Sequence, residues 1–233
     1  MSPRYAALVR HGAYHQRAGA PSALQPFPLT DEGEEQARAC GDELAAHIAR
    51  DGLDLDPVVH CSCQLRAWQT ATLACETLGR HGLRIAEIRQ SPALAERGLG
   101  SAANLTLAEI EAVLAADPRF APPPPGWKSD NYYRLPLQGA ESMEDAGKRV
   151  AAYLRQTIGR PSPNENPRLT LYFGHGAAFR HAAHQLGVLT LDAVADLSMF
   201  HARPLHLCYM ADGTWSHYGG DWKQRARGRT GLD

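Results

Sequence analysis

The sequence has no excess of charge of either sign. Its 233 residues include 24 lysines and arginines against 25 aspartates and glutamates, which gives a net charge of −1 with the histidines neutral. A global electric field that attracts nucleic acid or an anionic membrane is therefore excluded. Any attraction for an anion has to come from a local cluster of basic side chains.

Long apolar runs and a disulfide framework are also missing. No stretch approaches the roughly 18 residues that a membrane-spanning helix needs, and a strand-like run that begins at Tyr5 leaves no room for a signal peptide. The five cysteines are odd in number and irregularly spaced, which indicates free thiols in a reducing compartment. We therefore expect a soluble, cytoplasmic protein without membrane or nucleic-acid partners.

Apolar and amphipathic segments alternate along the chain, and the hydrophobic fraction of 44% is enough for a full core. Strands are predicted at Tyr5–Val9, Pro57–His60, Leu83–Ile88 and Leu169–Phe173, followed by a closing hairpin of Leu205–Met210 and Thr214–Tyr218. Helices are predicted to begin near Thr30, Gln64, Thr106, Ser142 and Gly176. This alternation predicts the α/β class with a mainly parallel sheet.

A Pro- and Gly-rich segment at 117–138 contains four consecutive prolines, Pro122 to Pro125. No self-sufficient second core follows it, so we interpret it as a long loop or lid within one domain spanning 1–233. Three aromatic residues in it either line a substrate pocket or pack the lid: Trp127, Tyr132 and Tyr133. The basic tail from Lys223 is predicted to be frayed.

Basic side chains follow three of the predicted strands. Arg10-His11-Gly12 follows the first strand, Arg66 lies one helical turn beyond the second, and Gly174-His175-Gly176 follows the strand that ends at Phe173. Ligands of such sheets bind beyond the carboxyl ends of the strands, so we expect these side chains in one crevice. Two guanidiniums beside an imidazolium are costly without an anion, and a phosphate dianion matches the arginine forks.

An imidazole is the one group in this set that acts as a nucleophile at neutral pH. His11 is therefore predicted to attack phosphorus and form an N-phosphoryl intermediate that water hydrolyses. The leaving alkoxide needs a proton from a nearby carboxylic acid. Glu96, which follows the third predicted strand, is the best-placed candidate; the competing carboxylates are Glu87, Glu109 and Glu141.

Two patterns suggest a metal site, and neither is complete. Cys61-Ser62-Cys63 has no second cysteine pair at the spacing of a zinc finger. His181 and His184 are three residues apart on a predicted helix, with no acidic partner beside them. The sequence therefore predicts no metal and no cofactor.

Five motifs appear in an order that is typical of one protein family. They are Leu8–Gly12, Leu29–Ala37, Ser62 with Leu65–Ala71, Gly139–Ser142 (which carries an extra alanine) and Gly174–Gly176. One Arg-His-Gly motif is a weak signal, but five motifs in order are specific. The chain resembles the histidine phosphatase superfamily, also called phosphoglycerate mutase-like, from residue 5 to about residue 187.

The resemblance implies a three-layer α/β/α fold and assigns roles to the site. His11 is the phosphate acceptor, Glu96 is the proton donor, and the phosphate is held by Arg10, Arg66, His175 and Gly176. The implied partner is a small-molecule phosphate ester. The implied reaction is hydrolysis of a phosphomonoester, or the transfer carried out by a cofactor-dependent phosphoglycerate mutase; a non-catalytic member that binds phosphorylated ligands is the third hypothesis.

Departures from the family pattern bear on the substrate. Ala13 stands where the family often has Glu or Gln, and Tyr14 to Arg17 replace a stretch in which an asparagine commonly contacts phosphate. Gln16 and Arg17 are therefore candidates for substrate contact.

Arg97, directly after Glu96, is a third candidate for substrate contact because it matches the mutase branch. The tyrosine and lysine that follow in that branch are missing, and no Arg-Arg pair precedes Pro122. The sequence therefore favours the phosphatase over the mutase.

Overall fold

A central sheet organises the structure, a computed structural model that describes residues 3–159 and 166–225. The strands of the central sheet are β1 (Arg4–Arg10), β2 (Asp54–Leu55), β3 (Val58–Ser62), β4 (Glu87–Ser91), β5 (Arg168–Gly174), β7 (Pro204–Tyr209) and β8 (Trp215–Gly219), and β6 (Leu197–Ser198) and β9 (Lys223–Gln224) form a separate pair. Its helices are α1 (Asp31–Asp51), α2 (Leu65–Arg80), α3 (Leu107–Ala116), α4 (Met143–Thr157), α5 (Gly176–Gln185) and α6 (Leu191–Asp196).

Within the described residues the main sheet has the order β4-β3-β5-β1-β7-β8, with β2 also paired to β5. The pairs β4/β3, β3/β5 and β5/β1 are parallel, whereas β7 is antiparallel to β1 and β8 is antiparallel to β7. Arg10 pairs with Gly174 at the carboxyl ends of β1 and β5. The predicted α/β class with a mainly parallel sheet is confirmed. Arg10 and the segment that follows β5 lie at the same end of the sheet.

Helices cover both faces of the sheet, because β1 is apolar on both sides. Ala7 and Val9 pack in a core with α1 and α2, whereas Ala6 and Leu8 pack in a second core with α4 and α5. A continuous apolar run is typical of a strand buried on two faces. The three-layer architecture follows directly from it.

Side-chain caps begin the helices where the sequence predicts them. Thr30 accepts a hydrogen bond from the Gly33 amide at the start of α1. Thr106 and Ser142 form capping boxes at the starts of α3 and α4. By contrast, α2, which carries Arg66, and α5, which follows His175, begin without a side-chain cap.

Two predicted boundaries are wrong. The sequence predicts the third strand at 83–88, but the strand begins at Glu87, because it pairs in parallel with β3 from Val58 onward. The apolar Leu83 and Ile85 pack against the core from the preceding loop. The tail expected to fray from Lys223 instead pairs with Leu197–Ser198 through Lys223–Gln224. The remainder of that tail, 226–233, lies outside the described residues.

The 117–138 segment packs over α3 rather than hanging free. Trp127 is 4% exposed and Leu135 is 3% exposed, in a small cluster with Ile110 and Leu114. The indole Nε1 of Trp127 donates to Glu111 at 3.2 Å. Trp127 therefore packs the segment, and Tyr132 is exposed.

All five cysteines are free thiols, as the sequence predicts, and Cys63 alone among them is exposed. Within residues 3–159 and 166–225, no helix is long and apolar enough to cross a membrane.

Candidate active site

The loop that leaves β1 packs directly onto the first turn of α1. A Cβ atom on Gly33 would lie 1.9 Å from the carbonyl oxygen of Ala13, and one on Gly12 would lie 2.5 Å from that of Gly33. The Gly12 amide also donates to Oγ1 of Thr70 on α2 at 3.0 Å. The glycines therefore allow a backbone contact that fixes where His11 leaves the sheet.

His11 is 1% exposed, and its tautomer follows from one hydrogen bond. Its Nδ1 lies 2.8 Å from the carbonyl oxygen of Gly12. A carbonyl oxygen can only accept, so Nδ1 carries the proton and Nε2 carries the lone pair. Burial, and then the charges of Arg66, His175 and Arg10, hold the pKa of His11 well below its usual value. The ring is therefore neutral, which is the nucleophilic form.

Arg66 is fully buried in the first turn of α2 and holds the loop that precedes α1. Its Nη1 donates to the carbonyl of Gln25 at 2.9 Å, and its Nη2 donates to those of Ser22 and Ala23 at 2.6 and 3.0 Å. Burial lowers the pKa of Arg66 to about 10, so the guanidinium stays charged at neutral pH. Its buried Nε atom has no hydrogen-bond partner among the described residues.

His175 connects Arg66 to β3. Its Nδ1 accepts from Nη2 of Arg66 at 3.2 Å, and its Nε2 therefore donates to Oγ of Ser62 at 2.9 Å. Burial, with the charges of Arg66 and Arg10, lowers the pKa of His175 well below its usual value. The rings of His11 and His175 are 5.2 Å apart. Both rings are neutral, so the positive charge of the cluster comes from its two arginines.

Arg10 lies between α5 and the segment after β6. Its Nη1 donates to the carbonyl of Met199 at 3.0 Å, and its own carbonyl accepts from the Ala202 amide at 2.8 Å. A Cβ atom on Gly176 would lie 3.2 Å from Cδ of Arg10. Gly176 thus lets the guanidinium approach the amino-terminal turn of α5.

Glu96 is 7% exposed and lies at that same turn of α5. Its Oε1 accepts from the amides of Ala178 and Arg97 at 3.0 and 2.9 Å, and its Oε2 accepts from the Ala177 amide at 3.3 Å. Unpaired amides at a helix start bind a carboxylate well. The carboxylate also lines a small cavity together with Arg97 and Lys128.

The three competing carboxylates are held in other contacts. Glu87 pairs with Arg89 at 2.6 Å on the edge strand β4. Glu109 closes the capping box of α3. Glu141 pairs with Arg149 of α4, which leaves Glu96 as the carboxylate beside Gly176.

Arg149 fixes the segment that carries Glu96. The guanidinium donates to four backbone carbonyls of this segment, those of Pro92, Ala93, Ala95 and Glu96, at 3.4, 2.9, 3.1 and 3.4 Å. On the far side of Glu96, the Gly98 amide donates to Oε2 of Glu141 at 3.0 Å. Arg149 is not recognisable from the sequence, because no local signal distinguishes a basic residue in mid-helix from a solvated one.

The candidates for substrate contact have different surroundings. The Arg97 guanidinium is 5% exposed, faces the cavity beside Glu96 and donates to the Lys128 carbonyl at 3.5 Å. Burial lowers the pKa of Arg97. Arg17 is exposed and pairs with Glu109 at 3.0 Å. Gln16 is exposed and donates to the carbonyl of Ala20 at 3.1 Å.

Tyr14 is a second side chain that sequence reasoning missed. Its ring meets the edge of His11 at 5.1 Å and lies 4.6 Å from the Arg66 guanidinium carbon, and its hydroxyl is 2.8 Å from Oγ of Ser22. Tyrosine is common in loops, so only its position near the Arg-His-Gly motif pointed to this role. Tyr14 therefore contacts both His11 and Arg66.

Neither metal pattern is assembled. Cys61 is buried in the core, whereas Cys63 is exposed. His181 contacts the Ala177 carbonyl and the Asn131 side chain. Among the residues that the structure describes, no group of three or more His, Cys, Asp or Glu side chains has an arrangement that holds a metal ion.

Comparison with known proteins identifies the family. The pattern of the "Histidine phosphatase superfamily (branch 1)" matches residues 6–218. The 2,3-bisphosphoglycerate-dependent phosphoglycerate mutase of Azorhizobium caulinodans is 31% identical over 81% of this chain and 83% of its own length. The corresponding mutase of Methylobacterium sp. is 30% identical over 80% of this chain and 81% of its own length.

Solved structures have the same fold. A mycobacterial glucosyl-3-phosphoglycerate phosphatase superimposes with a TM-score of 0.64 at 22% identity, covering 95% of this chain and 97% of that one. A phosphoglycerate mutase from Bacillus anthracis superimposes with a TM-score of 0.66 at 17% identity, covering 94% and 93%. The chain therefore belongs to the histidine phosphatase superfamily, whose members are phosphatases and mutases.

Proposed function

We propose that the protein is a phosphomonoester hydrolase that passes the phosphoryl group first to Nε2 of His11 and then to water. One observation carries this proposal. The Nδ1 hydrogen bond to Gly12 leaves the Nε2 lone pair available on a neutral, buried ring, within a cluster that contains two buried arginines. A nucleophile beside preorganised positive charge is the arrangement that phosphoryl transfer needs.

Each neighbouring residue has a role in this proposal. Arg10, Arg66 and the Gly176 amide hold the equatorial oxygens of the phosphoryl group. The neutral His175 contributes a hydrogen bond within the same cluster. Glu96 protonates the leaving oxygen and later takes a proton from the attacking water. The site needs neither metal nor cofactor, and the five free cysteines support a reducing compartment such as the cytoplasm.

The mutase is the second candidate, because the curated relatives carry that name and Arg97 lines the cavity beside Glu96. A mutase must protect its phosphohistidine from water and grip the substrate carboxylate during reorientation. In this chain the Arg97 grip lacks the tyrosine and lysine of the mutase pattern. We therefore expect water, rather than a reoriented substrate, to accept the phosphoryl group.

The test supplies 3-phosphoglycerate with a trace of the 2,3-bisphosphate and measures both 2-phosphoglycerate and free phosphate. The proposal predicts that phosphate release exceeds interconversion. Interconversion much faster than release identifies a mutase. A parallel assay with p-nitrophenyl phosphate distinguishes both enzymes from a non-catalytic phosphate-binding protein, which gives no turnover.

A further inference from the structure

A groove of about 440 Å³ lies beside Arg10, outside the contacts described for Glu96. One wall is α1, with Gln36 and Glu43, and the other is the segment from Met199 to Arg203 together with Lys223. β7 begins after this segment, and Pro204 of β7 pairs with Val9 at the carboxyl end of β1. The groove therefore opens at the end of the sheet where His11 follows β1.

The groove carries more cationic than acidic side chains. Arg203 and Lys223 are both exposed and lie over the ring of Phe200, at 5.5 and 6.0 Å from its centre. Within residues 3–159 and 166–225, neither cation has a carboxylate oxygen within 4.0 Å. Glu43 is the one acid in the described lining; burial raises the pKa of its carboxyl, and the charge of Arg203 partly opposes that rise. Two cations beside one aromatic ring produce a local positive potential.

The same groove touches the acceptor region. His201 lines the groove, and its ring is 5.8 Å from the ring of His11. Arg10 also lines it, while the segment from Met199 to Ala202 binds both the guanidinium and the backbone of Arg10. The side chain of His201 would therefore lie between an anion in the groove and the proposed phosphate pocket.

We propose that this groove is a second anion subsite that binds a phosphate or carboxylate group through Arg203 and Lys223. Its link to catalysis rests on the proposed function. The anion has two possible sources, the non-reacting acidic group of a substrate with two anionic groups or a separate inorganic anion. The chemistry of recognition, two cations and an aromatic floor, is shared by both.

The first experiment measures binding and needs no turnover. Inorganic phosphate is titrated calorimetrically into the full chain, into the double variant Arg203→Ala/Lys223→Ala, and into the control Arg89→Ala, which removes an exposed arginine at the opposite end of the sheet. Two phosphate sites are expected in the wild type and the control, and one in the double variant. Glu43→Gln should tighten the second site. A single site in all four proteins overturns the proposal, whether or not the protein is a phosphatase.

The second experiment distinguishes the two sources of the anion. If the substrate's own second group occupies the groove, the double variant loses about tenfold in kcat/KM for fructose 1,6-bisphosphate but changes less than about twofold for p-nitrophenyl phosphate. If the anion is separate, phosphate inhibition of p-nitrophenyl phosphate hydrolysis loses its non-competitive component. Equal losses for both substrates with unchanged inhibition contradict the proposal.

Discussion

Arg149 and Glu141 form a two-pronged ion pair, with Nε 2.8 Å from Oε1 and Nη2 2.7 Å from Oε2. Both side chains are partly buried, and each also binds the backbone near Glu96: Arg149 through the Ala95 carbonyl and Glu141 through the Gly98 amide. The pair therefore holds the segment on both sides of Glu96. We infer that Arg149 is a positioning residue for the proposed proton donor.

Arg149→Met should impair general-acid catalysis selectively. A leaving group with a low pKa departs without a proton, whereas an alkoxide needs one, and a positioned acid contributes about 10² to 10⁴ in rate. We expect kcat for an alkyl phosphate to fall by about 10- to 100-fold and kcat for p-nitrophenyl phosphate to change little. Steady-state kinetics on the two substrates measure the difference.

Arg155→Met is the matched control for this variant, because Arg155 lies on the same helix and binds the Gln185 carbonyl. It should leave the ratio of the two kcat values unchanged. If Arg149→Met lowers both activities equally, the ion pair has only a general structural role and the inference fails.

Gly33→Ala should disturb the loop that leaves β1 and carries His11. The added Cβ would lie 1.9 Å from the Ala13 carbonyl oxygen, so the backbone beside His11 has to move. We expect a loss of at least about 2 kcal/mol in the free energy of unfolding, together with a fall in activity. Gly79→Ala is the control: its Cβ meets no atom within 4 Å on α2, so a gain of about 0.5–1 kcal/mol is expected. Urea denaturation of both variants checks this, and a stable, active Gly33→Ala protein contradicts it.

Much of the site was predictable because its parts lie at strand ends. Arg10, His11 and His175 follow β1 and β5, whose pairing brings their carboxyl ends together. Thr30 and Ser142 are local capping signals and are found as predicted. Such features depend on neighbouring residues in the chain, which the sequence displays directly.

Contacts between distant segments were not predictable. Arg149 reaches Ala93 across 56 positions, and His201 comes near His11 only because β7 is antiparallel to β1. The strand predicted at 83–88 was misplaced for the same reason, because pairing with β3 rather than apolar content decides where β4 begins. Lys223 pairs with Ser198 through a register that no local pattern encodes.

Buried histidines should make the protein less stable in acid. Burial, aided by His47, lowers the pKa of His206 to about 3, whereas the unfolded side chain titrates near 6.5. Below pH 6.5 the unfolded chain binds a proton that the native ring does not, so stability falls as the pH drops towards about 3. Between pH 7.5 and 5.5 this one residue should cost about 1.4 kcal/mol.

His206→Phe tests this sign directly. The variant keeps a ring beside His47, 4.1 Å away in the native protein, but cannot titrate. Urea denaturation at pH 7.5 and 5.5 should show a pH dependence smaller by about 1.4 kcal/mol than in the wild type. An unchanged difference between the two pH values would rule out His206 as a source of acid sensitivity.

Activity should survive chelation. The positive charge for the transition state is assigned to Arg10 and Arg66, so no cation is required. Phosphate release measured after dialysis against EDTA should equal that of untreated protein, and vanadate should inhibit competitively. Loss of activity on chelation, with recovery on adding zinc or magnesium, would contradict the assignment.

The central claim is that His11 carries the phosphoryl group. Brief exposure to a ³²P-labelled substrate, followed by a denaturing quench and peptide mapping, tests it most directly. The account predicts one labelled peptide containing His11, whose label is lost in acid and kept in alkali, as expected for a phosphorus–nitrogen bond, and no label in His11→Ala. A label on another residue, or label and turnover that persist in a folded His11→Ala protein, would contradict it.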